Sequence, residues 1–254
     1  YKDLIQADNP KMDVQLKPNF GGTTFIFKAL QGGQVDVYPE FTGTVLQSLV
    51  KVKGSISHDK QTAYKQAKTL IKQQHNLDLL EPMKYENTYG LAVRQADAKR
   101  YHLQTTSDLL RQSAQMTAGF DPDFYKLSDG YPGLKKAYGL NFKNIVQMES
   151  SLRYEALANK QIDVTDAYTT DPQLKQDHLV TLADDKHFFP PYQGAPLVND
   201  KTLQKYPGIA KSLNKLSGKI TNQDMIEMNY QVTVQHKKAA QVARTYLVKH
   251  GLIK

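Results

Sequence analysis

The 254-residue chain contains no cysteine and no tryptophan. Lack of cysteine removes disulfides, thiolate nucleophiles and cysteine-ligated metals together, though it is permissible in any compartment. No stretch approaches the roughly eighteen uninterrupted apolar residues that mark a membrane-spanning helix. No secretory signal opens the chain either. Tyr1-Lys2-Asp3-Leu4 begins inside an amphipathic stretch, which reads as a fragment or a trimmed N-terminus. None of the histidines (His58, His75, His102, His178, His187, His236, His250) forms a close ligand pair, so no metal site is expected. Nucleophile-elbow and dinucleotide-binding glycine motifs are absent. Gly21-Gly22-Thr23-Thr24 lacks the lysine of a phosphate-binding loop, and Asp184-Asp185 lies in a polar loop where solvation explains it. These absences leave no catalytic constellation: the expectation is a protein that is not an enzyme and carries no cofactor.

The charge is basic, formally +8 with pI about 9.3. The lysines are spread (Lys51 and Lys53, Lys65 and Lys68, Lys135 and Lys136, Lys237 and Lys238), with no block of like charge. Solvated helix faces account for that pattern, and no nucleic-acid partner is expected. An anionic membrane surface is the remaining reading of the basic balance.

What the chain does have is a repeat. Gly22 to Thr44 recurs as Glu149 to Asp171, with Asp36 falling on Asp163 at an offset of 127 residues. At that offset Ala29-Leu30 falls on Ala156-Leu157, Val37 on Val164, Phe41 on Tyr168 and Thr42 on Thr169. In each copy a hydroxyl pair, Thr23-Thr24 or Ser150-Ser151, is expected to cap a helix. A short strand follows, Val35-Asp36-Val37 or Ile162-Asp163-Val164. An aromatic and a threonine then sit just beyond the strand's carboxyl end, where ligands bind in open α/β sheets. Two such units point to two lobes, each offering one aromatic to a shared cleft. The alternative is ordinary αβ architecture recurring by chance, with the aromatics as core.

Around the repeat, Tyr1 to Ala7 reads as the end of a helix closed by Asn9-Pro10, and Met12 to Leu16 alternates like a strand. Gly43 to Leu49 and Asp59 to Gln74 read as helices, and Leu77 to Pro82 as strand and turn. Tyr85 to Val93 and Pro190 to Val198 each pair a tyrosine with a glycine before an apolar run, and are expected to be two hinge crossings. The domains that follow are 1–88 plus 196–254, and 89–195, with hinges near 85–93 and 190–198. Within the second, a short helix follows Thr106-Ser107-Asp108, a strand lies near Met116, and Ser128 to Gly133 is expected to be a loop. Leu203 to Lys215, Thr221 to Tyr230 (with Thr221 as cap) and Gln235 to His250 complete the helices.

Tyrosine is abundant, 15 residues beside 9 phenylalanines. Phe41, Tyr89, Tyr168 and Tyr192 fall at strand ends or crossings. Several ring faces together can hold a cation that donates no hydrogen bond, such as a quaternary ammonium, at roughly 0.5–2 kcal/mol per contact. Singly, each tyrosine is equally a core or rim residue.

At this point the sequence resembles a known family. Gly21 to Thr24 through Asp36-Val37-Tyr38-Pro39-Glu40-Phe41-Thr42-Gly43-Thr44 is similar to the substrate-binding proteins of osmoprotectant ABC importers, which take up glycine betaine, choline, carnitine and related compounds. Asn87-Thr88-Tyr89-Gly90-Leu91, Asp129 to Leu134 and Asp166 to Asp171 carry the same resemblance, which spans nearly the whole chain. It implies an α/β, two-lobed type II periplasmic-binding-protein fold with a ligand cleft between the lobes. The cage aromatics of the family match Phe41, Tyr89, Tyr168 and Tyr192. Thr44 matches a position that helps bind a ligand carboxylate, and Asn87 accompanies Tyr89 as a candidate ligand residue. The implied partners are a small quaternary-ammonium ligand and an ABC permease, either a separate subunit or a fused transmembrane domain. The implied location is the extracellular face of the cytoplasmic membrane, in a Gram-positive bacterium, and ergothioneine is a further family ligand. Three departures stand out. The strand and helix that begin family members are not found here. Leu127 stands where betaine-binding members have an arginine, which favours choline or a carboxylate held elsewhere, and Phe41 replaces a frequent tyrosine. The same fold also serves as a ligand-sensing effector domain in regulators, but no helix-turn-helix segment is visible. An enzyme on this fold is the third class.

Overall fold

Local signals set several helices. The Asp59 side chain accepts from the Thr62 amide at 2.8 Å and opens the helix Lys60–His75. Its buried residues Ala63, Ala67 and Ile71 recur at four-residue spacing and form one stripe. Asn76 then ends it in the left-handed region at φ 55°. Thr221 and Asp224 form a reciprocal capping box at the start of Asn222–Thr233. The computed structural model describes residues 1–18 and 20–254. Its strands are β1 Val37–Phe41, β2 Leu77–Leu79, β3 Tyr89–Arg94, β4 Thr117–Phe120, β5 Asn144–Gln147, β6 Val164–Tyr168, β7 Leu179–Thr181 and β8 Gly194–Asn199.

The chain divides into two units, Tyr1–Glu86 with Pro191–Lys254, and Asn87–Pro190. The first holds a three-stranded sheet ordered β1-β8-β2, with both outer strands antiparallel to β8. Every residue of β8 is buried, so Gly194 to Val198 read as a continuous apolar run rather than an alternating one, closed by Asn199. Phe27, Leu30, Tyr38, Leu46, Ile71 and Leu197 form the core on one side; Ile5, Val198, Ile209 and Leu213 form another cluster. The second unit holds a five-stranded sheet ordered β5-β4-β6-β3-β7. There β4 runs parallel to β5 and β6, while β3 runs antiparallel to β6 and β7. Leu91, Ala92 and Val93 of β3 and Val164 to Ala167 of β6 are buried along its middle.

The structure corrects several expectations. Met12 to Leu16 joins no ladder: Met12 and Val14 are half-buried against the Ile209 cluster, so their alternation reflects packing without strand pairing. The hydroxyl pairs do not cap. Gly22 precedes Thr23–Gln31 with no side-chain bond, and the Ser150 hydroxyl donates instead to the Asp121 carboxylate. The strands start later than read and run through the aromatics, so Phe41 and Tyr168 end β1 and β6 rather than follow them. Past Phe41 the chain makes a short turn of α-helix, Thr42–Thr44, and a π-helical turn, Val45–Leu49. Tyr131-Pro132-Gly133 opens the helix Tyr131–Tyr138, with Pro132 in its first turn, where a missing amide costs nothing. The last helix begins at Ala239, not Gln235, since His236 adopts a left-handed conformation at φ 55°.

Candidate functional site

In the second unit, antiparallel pairing of β3 with β6 places Tyr89 directly opposite Tyr168. Facing residues on neighbouring strands bring their side chains together. Here the ring centroids lie 4.8 Å apart, and the Tyr168 hydroxyl donates to the Tyr89 hydroxyl at 3.1 Å. Phe124 stands 5.0 Å from the Tyr89 ring and Phe189 6.0 Å. Burial pushes the Tyr168 phenol far up, so it stays a neutral donor at physiological pH. Asn87 lies alongside, its Oδ1 accepting from the Thr170 hydroxyl at 2.5 Å. Thr88 and Thr169 exchange backbone and side-chain bonds at 3.0 and 3.2 Å, which fixes this strand end.

Behind Tyr168 is a charged cluster. The amide of Tyr168 donates to Asp171 Oδ2 at 3.0 Å, and the Tyr154 hydroxyl donates to the same oxygen at 2.5 Å. Arg153, only 1% exposed, donates to Asp166 at 2.7 Å and to Asp171 at 2.8 Å. Burial works against its charge, but Asp166, Tyr154 and Asp171 outweigh that and hold the guanidinium above its ordinary range. Burial pushes the Asp166 carboxyl up to about 6 despite Arg153, leaving it ionised at neutral pH.

In the first unit Phe41 ends β1 opposite Gly194, and its ring meets Tyr85 edge-on at 6.2 Å. The Phe41 amide donates to Glu40 Oε1 at 2.7 Å, and the Tyr38 hydroxyl donates to Glu40 Oε2 at 2.8 Å. Burial pushes the Glu40 carboxyl up to about 7, with those two bonds only partly offsetting it. Tyr192 is 2% exposed and lies against Gly43, where a Cβ would come within 2.7 Å of its ring. Only glycine lets the ring approach the backbone so closely. Thr42 secures the same stretch, donating to the Pro191 carbonyl at 2.7 Å and accepting from the Gln193 amide at 3.1 Å. Thr44 is half-buried at the end of the turn that follows Phe41.

Tyr89, Tyr168 and Asn87 therefore sit together in one unit, and Phe41, Tyr192 and Thr44 near one another in sequence or contact in the other. A groove of about 1090 Å³ in the first unit is lined by Ile5, Met12, Val14, Val37 and Tyr206, and includes none of the candidate residues. Sequence reasoning missed Arg153, Asp171, Tyr154 and Glu40 as supports for the aromatics. A signal existed: the repeat aligns Arg153 with Ile26, Asp166 with Pro39 and Asp171 with Thr44, so charge replaces uncharged residues at matched positions. No group of three acidic or histidine side chains among the described residues is placed to hold a metal ion. What the arrangement offers chemically is ring faces and neutral hydroxyls on rigid strand ends.

Comparison with known proteins places this architecture. The substrate-binding domain of ABC-type glycine betaine transport systems matches residues 1–249. An ergothioneine transport permease/ergothioneine binding protein of Helicobacter pylori is 36% identical over 232 residues, 91% of this chain and 41% of that protein. A carnitine transport binding protein of Listeria monocytogenes is 35% identical over 253 residues, 98% of this chain and 81% of that protein. The chain thus spans less than half of the first relative's length and about four fifths of the second's. A solved glycine betaine/carnitine/choline ABC transporter structure is 32% identical, with a TM-score of 0.79 over 99% of this chain and 92% of that one. The fold is the α/β, two-lobed one of periplasmic binding proteins.

Proposed function

Since the chain belongs to the family of substrate-binding domains of ABC-type glycine betaine transport systems, we propose that it captures a quaternary-ammonium compound outside the cytoplasm and presents it to an importer permease. Phe41 and Tyr192 from one unit and Tyr89 and Tyr168 from the other supply ring faces to the cation, with Asn87 and Thr44 as polar contacts. The observation that carries this reading is the Tyr89–Tyr168 pair, two rings at 4.8 Å on facing strand ends. Ring faces attract a cation that offers no hydrogen bond, and their energies accumulate. Ligand contacts made by both units favour a closed state that the permease recognises. The candidate ligands are choline, glycine betaine, carnitine and ergothioneine, and the protein performs no chemistry on them. No helix among the described residues is long and apolar enough to cross a membrane. The domain works at the extracellular face of the cytoplasmic membrane, lipid-anchored or fused to its permease, with a Gram-positive host completing this reading.

Calorimetric titration with those four ligands, and with proline as a non-quaternary control, tests the proposal. Saturable binding of at least one quaternary ligand, lost in Tyr168→Ala, is the expected result. Silence from all four in the folded protein, or wild-type affinity in Tyr168→Ala, overturns it.

A further inference from the structure

We propose that Arg153 is a positioning residue for the cage, setting the plane and strand position of Tyr168; the role rests on the receptor reading above. Arg153 opens the helix Arg153–Ala158 and is almost wholly buried. A guanidinium taken out of water costs free energy unless nearby acids offset it, so its presence calls for a reason beyond filling space. The matched position in the first unit is Ile26, an apolar residue inside the helix Thr23–Gln31, so the repeat itself does not call for a cation there.

The bonds of Arg153 straddle Tyr168. Nη1 reaches Asp166, two residues before Tyr168 on β6, at 2.7 Å. Nη2 reaches Asp171, three residues after it, at 2.8 Å. The Asp171 oxygen that receives Nη2 is also the one that accepts the Tyr168 amide. One planar group therefore ties the strand before the aromatic to the turn after it. Its Nε is buried without a hydrogen-bond partner, so the two end nitrogens alone fix the plane. That plane's central carbon lies over the Tyr168 ring, 5.4 Å from its centroid, and 5.2 Å from that of Tyr154. On the Tyr89 side the hydroxyl bond holds the phenol tip. The ring is thus held at its amide, at its tip and from Arg153. A cage wall needs such support, since ring orientation errors beyond roughly 10–20° lose the productive geometry. Lysine cannot replace the fork, because a point charge does not bridge two carboxylates in a fixed plane.

The test joins two measurements on Arg153→Lys, with Arg153→Gln as the stronger perturbation. In ligand-free protein carrying ¹³C-labelled tyrosine, the Tyr168 ring signals are identified by their loss in Tyr168→Phe. Arg153→Lys is expected to displace the Tyr168 and Tyr89 signals while leaving those of Tyr206, in the other unit, in place. Its affinity for whichever quaternary ligand the wild type binds is expected to fall at least tenfold, with a larger loss in Arg153→Gln. Unmoved Tyr168 signals, or affinity within twofold of wild type, overturn the assignment and leave Arg153 a structural residue. If Arg153→Gln does not fold, Asp171→Ala serves in its place, since it removes the acceptor of the Tyr168 amide while keeping the Asp166 pair. Absence of binding by the wild type overturns the receptor reading instead, and a displaced Tyr168 signal then still supports control of the ring by Arg153.

Discussion

The carboxyl ends of β1 and β6 are two solutions to one problem. β6 begins and ends 127 residues after β1, and each strand closes on an aromatic whose amide donates to a carboxylate that also accepts a tyrosine hydroxyl. At β1 the acid is Glu40, buried with no cation bonded to it among the described contacts, and its carboxyl rises to about 7. At β6 the acid is Asp171, which shares Arg153 with Asp166. The strand facing each aromatic differs too, with Gly194 opposite Phe41 and Tyr89 opposite Tyr168. Similar backbone geometry is therefore held in one unit by a single acid near neutrality and in the other by an ion-paired cluster. The first takes up its proton near neutrality, while the second stays ionised at neutral pH and depends on keeping every charged member.

The largest effect is expected from breaking the second arrangement. Arg153→Met leaves Asp166 and Asp171 without their buried partner, and removing one member of such a pair costs about 3–5 kcal/mol. Urea unfolding at neutral pH should show that loss. A cost below about 1 kcal/mol would mean the two acids find protons or water easily, and the contrast between the units would dissolve.

Neutralising the acid of the first unit should act in the opposite direction. The folded-state value of Glu40, about 7, lies above its ordinary 4.5, so between those values the folded chain holds a proton that the unfolded chain has released. Stability from this group is therefore full below about 4.5 and falls as pH rises through about 7. Glu40→Gln keeps one acceptor for the Phe41 amide and leaves no charge to bury. It should make the protein more stable than wild type above pH 7 by about 3 kcal/mol, the equivalent of some 2.5 pKa units, and nearly equal to it below pH 4.5. Paired unfolding curves at pH 4.5 and 8 measure it, and an equal difference at both would show that Glu40 does not titrate in that window.

The repeat was legible in the sequence because its period is carried by residue types with strong local meaning: a helix stripe, a β-branched run and an aromatic. Phe41 and Tyr168 stand out from that pattern alone. The facing of Tyr89 and Tyr168 was not legible, since it depends on antiparallel pairing between strands more than seventy residues apart in the chain. Gly43 is a similar case. In sequence it is one glycine at the start of an expected helix, and only the packed Tyr192 ring shows why a side chain is excluded there. The hydroxyl caps misled because Ser150 found a stronger acceptor in Asp121, a residue no local window around the helix contains. Met12 to Leu16 misled because alternation reports burial on one side and says nothing about whether a partner strand exists.

The smallest effect bears on the aromatics themselves. Tyr168→Phe gives β6 the residue that β1 carries at the matched position, removing the hydroxyl that donates to Tyr89 at 3.1 Å and keeping the ring. An intramolecular hydrogen bond of this kind is worth about 0.5–1.5 kcal/mol net. The Tyr89 oxygen keeps its capacity to donate elsewhere, so the loss belongs at the lower end of that range. Ring faces hold a quaternary cation with or without the hydroxyl. Ligand affinity should therefore fall only about threefold, and thermal stability slightly. A loss comparable to Tyr168→Ala would mean that the phenol oxygen itself contacts the ligand, which would set the β6 aromatic apart from Phe41 in chemistry as well as in support.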